Sequence, residues 1–129
     1  MMNDAVTIYN KYTEAGAERW RRTVLRGVFW NSVEGAVLRR TGAASADRVV
    51  VLIQLSLPGY VKPRAWEAME DKGRSWTVQP GDTMVRGAVD IEISRSAAKE
   101  LARLDDVLTV TTVDAKSFGR LAHLEVSGK

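Results

Sequence analysis

The chain has no cysteine among its 129 residues. Disulfides, thiolate metal sites and a thiol nucleophile are thereby excluded. It has a single histidine, His123. A general base would need a nucleophile and an orienting acid beside it, and the sequence places neither. No run of roughly 18 apolar residues occurs, so no segment reads as a membrane-crossing helix. Met1-Met2-Asn3-Asp4 lacks the basic region and apolar core of a secretion signal, and a protein made and used without secretion is expected. Internal repeats, low-complexity tracts and linkers are also missing.

The residues that are present describe one domain, 1–129. The apolar fraction is 45%, enough for a single core that buries roughly two thirds of the unfolded surface at this length. The net charge is +3 and the pI about 9.4. Arg19, Arg21, Arg22 and Arg26 lie close together, followed by Arg39-Arg40. Such clustering suits a polyanion or an acidic partner, although a mild basic excess also serves solubility.

Strand signals dominate. Ala5–Tyr9 alternates through β-branched and aromatic residues. Residues 21–30 read as a second strand, with Val24, Val28 and Trp30 on one face and Thr23, Leu25 and Phe29 on the other. Apolar residues on both faces suit a strand between two layers or at a subunit contact. Small and turn-forming residues fill 31–46. Asp47–Leu55 is the clearest strand, and Trp76–Val78, Thr83–Ile91, Val107–Val113 and Leu121–Val126 follow. A short helix is expected over Val61–Met69, with Pro63 in its first turn and Trp66 and Met69 on its buried face. A second is expected over Ser96–Leu104, with Ser96 as N-cap and Ala97, Leu101 and Leu104 as an apolar stripe. The expected fold is mainly β (α+β): a small antiparallel β-barrel of about seven strands with two short helical insertions.

Catalytic signals are weak. Gln79-Pro80-Gly81-Asp82 has one glycine, no lysine and a strand after it, so it reads as a type II turn and not a phosphate loop. His123 would sit on a strand face with Leu121 and Glu125, as a hydrogen-bonded structural histidine. Asp105-Asp106, with Asp90, Glu92 and Asp114, lacks the alternating ligand spacing of a hard-cation loop, and the pair would instead satisfy backbone donors in a turn. Trp20, Trp30, Trp66 and Trp76 could stack bases, but core and interface roles are commoner. No catalytic residue, cofactor site or metal site is legible, and a non-enzymatic role is expected.

Several segments in order, "VTIYNKY", "RTVLRGVFW", "SADRVVVLI", "YVKPRAWEAM", "SWTVQPGDTMVRGAV", "LARLDDVLTVTTVD" and "HLEVSGK", resemble a poorly characterised family of small proteins from the structural gene module of tailed phages and prophages. Those proteins are similar to head-closure (stopper) and head-tail connector proteins. The resemblance implies a virion subunit at the portal-tail neck, assembled in the bacterial host cytoplasm and forming a ring with copies of itself. Its partners would be portal or adaptor proteins, tail proteins and, non-specifically, packaged DNA; no membrane is implied. Arg39 and Arg40 are then expected to face the lumen or the neighbouring ring, and Val24, Val28 and Trp30 a neighbouring subunit. A tail terminator, a minor capsid protein and a small β-barrel binding single-stranded nucleic acid are the alternatives.

Overall fold

The computed structural model describes residues 4–33, 48–116 and 122–129. Within them lie six strands and two short helices: β1 (Asp4–Glu14), β2 (Ala17–Val33), β3 (Arg48–Gln54), α1 (Pro63–Ala68), β4 (Thr83–Arg86), α2 (Ala97–Glu100), β5 (Val107–Lys116) and β6 (His123–Gly128). Every strand pairing is antiparallel, and the strands close into a barrel in the order β1-β2-β3-β6-β5-β4. The small antiparallel barrel is as expected; the strand count is six and not about seven.

Two strands each serve two halves of the barrel. β2 pairs with β1 up to Val28 and with β3 from Phe29 onward. β5 pairs with β4 through Thr109 and with β6 from Val110 onward. At both handovers the register slips by one residue, between Asp4 and Ala5 opposite β2, and between Val110 and Thr112 in β5. An extra residue in a ladder bends the strand and inverts its side-chain alternation. In β2 that residue is Gly27, whose φ of 78° favours glycine. Leu25 therefore points inward before the bulge, and Val28 and Trp30 point inward after it; all three belong to the core. Strict alternation would have put Val24, Val28 and Trp30 on one face. The bulge instead leaves Val24 and Phe29 outside.

The interior core gathers Val6 and Ile8 of β1, Val51 and Ile53 of β3, Met84 of β4, Leu108 and Val110 of β5, and Leu124 and Val126 of β6. Each such side chain contributes about 1.5–3 kcal/mol through its removal from water. A second cluster lies on the outer face, where Tyr9 and Val85 meet Ile93 and Leu101. This is why residues 6–10 of β1 are buried without interruption: one side faces the interior, and the other lies under residues 87–104.

That covering segment explains the shortness of β4. Residues 83–91 read as one strand, but Gly87 turns the chain and side chains of β1 replace the ladder. The Thr7 hydroxyl donates to the Gly87 carbonyl (2.7 Å) and accepts from the Val89 amide (2.9 Å). The Tyr9 hydroxyl donates to the Ile91 carbonyl at 2.6 Å. α2 is capped as expected, with the Ser96 hydroxyl accepting from the Lys99 amide. The Glu100 carboxylate also accepts from the amides of Ser94, Arg95 and Ser96, and these bonds hold its pKa down at about 2. α1 begins at Pro63 and is over by Met69, whose backbone is extended. Trp66 of α1 is buried and meets Tyr12 edge-on at 5.6 Å, with the Lys72 ammonium 4.7 Å above the indole.

Trp76–Val78 is not a strand beyond a single bridge from Trp76 to Tyr60. Its backbone is claimed by a side chain: the Asn10 carboxamide donates to the Thr77 carbonyl (2.7 Å) and accepts from the Thr77 amide (3.4 Å). The same carboxamide donates to the Asp82 carboxylate at 2.8 Å, which also accepts from the amides of Lys11 and Gln79. Asp82 is only 2% exposed, and burial pushes its pKa up against the pull of these bonds. The turn itself is of type II, with the Asp82 amide donating to the Gln79 carbonyl and φ of 99° at Gly81. Reciprocal backbone bonds join it to Val110, so one turn ties β1, β4 and β5 together.

Two outcomes test this account. Val28→Ala is expected to cost about 2–3 kcal/mol in urea unfolding and Val24→Ala less than about 1 kcal/mol, the reverse of equal burial on one face. Asp82→Ala, which strands one buried and two partly buried donors, is expected to cost about 3 kcal/mol in the same measurement.

Candidate functional site

Among the described residues no group of three or more histidine, aspartate or glutamate side chains is placed to hold a metal ion. Asp105 and Asp106 are exposed. The expected capping by their carboxylates is not what holds the turn: the Asp106 main-chain carbonyl accepts from the Arg86 amide. His123 is half-buried on the outer face, opposite Gln54 and Lys116 and beside Glu125. Two surfaces remain that side-chain chemistry singles out.

The first is an apolar strip. Phe29 of β2 lies directly across from Leu52 of β3, and Val50 follows two residues along on the same face. All three are half-buried and belong to neither core cluster. Trp30 and Val51, the adjacent pair, point inward. Of the three residues expected at a subunit contact, Val28 (0% exposed) and Trp30 (4%) are therefore spent on the core. A neighbouring subunit could reach them only by dismantling it. Val24 alone stays outside, joined on the outer surface by Phe29, Val50 and Leu52, which were not among the expected contact residues. Arg39 and Arg40 lie outside the described residues.

The second surface is a groove of about 750 Å³ along β2. From Ala17 to Val28, β2 is paired only with β1, so its other edge has no strand against it among the described residues. Arg21, Arg22 and Arg26 line one side of the groove, and Pro58, Gly59 and Arg74 the other. No carboxylate is among the lining residues. The far wall is fixed by Trp76. Its indole N–H donates to the Pro58 carbonyl at 2.9 Å, and its amide to the Gly59 carbonyl at 2.8 Å. The Trp76 ring is 1% exposed, so it braces the wall without offering a face to stack on.

Charge around the groove is uneven. Arg22 is committed, with Nε 2.5 Å from the Glu92 carboxylate and Nη1 donating to the Val89 carbonyl; the pairing raises its pKa further. Lys11, Arg19 and Arg86 are also paired, with Glu18, Glu14 and Asp4 respectively. Arg21, Arg26 and Arg74 have no such partner among the described residues. Three of the four groove arginines, Arg21, Arg22 and Arg26, were visible as a cluster in the sequence. Arg74, some fifty residues on, joins it only through the fold.

The chain belongs to a family of unknown function (DUF6751), whose model matches residues 1–129. No curated protein and no solved structure matches it.

Trp76→Phe removes the indole donor and part of a buried ring. It is expected to cost about 2 kcal/mol and to speed amide exchange at Val61 and Trp76, whose N–H groups bridge this wall, as read by hydrogen-exchange NMR.

Proposed function

From the sequence resemblance and the geometry above, we propose that this barrel is a structural subunit of a tailed-phage virion. In this reading it is a head-closure or head-tail connector protein, repeated as a ring at the portal-tail neck. The observation that carries the reading is the outward apolar strip of Phe29, Val50 and Leu52 on a barrel whose interior is already full. A ring needs a heterologous contact, one patch meeting a different patch on the next copy. A half-buried residue on a paired strand face suits that task, because it loses little conformational freedom on docking. The sequence resemblance to phage structural-module proteins, which runs through nearly the whole chain, supports the same assignment. The role is one of assembly and involves no turnover.

Cryo-electron microscopy of intact virions carrying this chain tests the proposal. Barrel density between portal and tail, repeated around the channel, is expected. Density elsewhere, or no copy in the particle, overturns it. The paired substitution Phe29→Ser and Leu52→Ser is expected to leave the barrel folded, losing less than about 1 kcal/mol at each position. Particles made with it are expected to be heads without tails, counted by negative-stain microscopy.

A further inference from the structure

We propose that the groove along the open edge of β2 binds the phosphodiester backbone of nucleic acid through Arg21, Arg26 and Arg74. This goes beyond the neck assignment and stands or falls separately from it.

Three observations meet at this groove. The first is charge without compensation. Four arginines contribute to its lining and no carboxylate does. Among the described residues only Arg22 of the four is paired, with Glu92 from outside the groove, whereas the cations at Lys11, Arg19 and Arg86 each have an acid within 4 Å. The second is residue type. All four cations are arginine, whose planar fork matches two phosphate oxygens at once. Charged side chains on an unpaired strand edge also guard it against another chain. Lysine or glutamate would serve that purpose equally, and it would not recruit Arg74 from outside the strand.

The third observation is the shape of the wall. Arg21 and Arg26 flank the open edge of β2 from opposite faces. They are five residues apart on an extended strand, roughly 16 Å, a span that several phosphates of one nucleic-acid strand occupy. Arg74 faces them from a wall that Trp76 and Pro58 hold rigid. The occupant is read by its backbone and not by its bases, because the aromatic ring at the groove is buried and offers no stacking surface. Binding is therefore expected to be independent of sequence and to favour duplex over single strand.

The test uses the full chain and fluorescein-labelled DNA, one duplex and one single strand of equal length, with anisotropy followed from about 50 to 200 mM NaCl. Three guanidinium contacts predict a log–log salt slope of about −3 on duplex and about −2 on single strand. The triple variant Arg21→Glu, Arg26→Glu and Arg74→Glu should weaken duplex binding at least tenfold. The corresponding alanine variant should weaken it and flatten the slope, with far-UV circular dichroism unchanged. Glutamate at Arg64, Arg95 and Arg103, all exposed and away from the groove, changes the net charge equally and should retain at least half the groove's affinity advantage over the triple variant. Absence of DNA binding by the unmodified chain overturns the proposal. So does equal loss in the two glutamate variants, or displacement of DNA by poly-glutamate as effective as by unlabelled duplex, which would mark the groove as a site for acidic protein.

Discussion

The barrel depends on two strands that turn a corner. β2 and β5 each begin in one half and end in the other. A flat strand cannot do this, because closure requires the sheet to bend sharply while its ladder stays paired. An extra residue at each corner provides the bend and inverts which side chains face inward. The inversion is paired across the barrel. Leu25 gives way to Val28 in β2, and Val110 to Val113 in β5, so the interior stays apolar on both sides of each corner. The same inversion puts Phe29 outside and opens the edge of β2 beyond the reach of β3. Both candidate surfaces thus follow from how the barrel closes.

The second constraint is the buried Asn10–Asp82 pair. Polar groups so deeply buried are costly unless each finds a partner. Here the carboxamide and the carboxylate collect the backbone of Thr77, Lys11 and Gln79 as well as each other. The cross-link holds the end of β1 against the entry to β4, where the strand ladder between them has run out: their pairing stops at Tyr9–Thr83. A packed hydrophobic pair could fill this space. It could not fix the direction of three main-chain segments, which hydrogen bonds do through their geometry.

The parts of the molecule that were readable in advance were those governed by local rules. The Pro80-Gly81 turn, the Ser96 cap, the Leu101 stripe and the alternation of β3 all depend on residues within a few positions of one another. Elsewhere, distant residues override the local pattern. The arm from Asn10 to Trp20 carries mixed polar residues and gave no strand signal, yet it is a continuous hairpin with Ala15-Gly16, both at positive φ, as its two-residue turn. Trp76–Val78 has the composition of a strand, but Asn10 occupies its backbone. Residues 87–91 have the alternation of one, but Thr7 and Tyr9 hold them.

What the sequence determined by itself was the class of the protein: one β-rich domain without thiols, with a full apolar complement and a basic cluster on the second strand. These are sums over composition and short-range pattern, and they do not depend on which strand lies beside which. Only the tertiary structure decided which face each residue occupies. A bulge of one residue moves every later side chain to the opposite face, and its position is set by the partner strand. For the same reason Val28 and Trp30 belong to the core and not to a contact surface, and Arg74 belongs with Arg21 and Arg26.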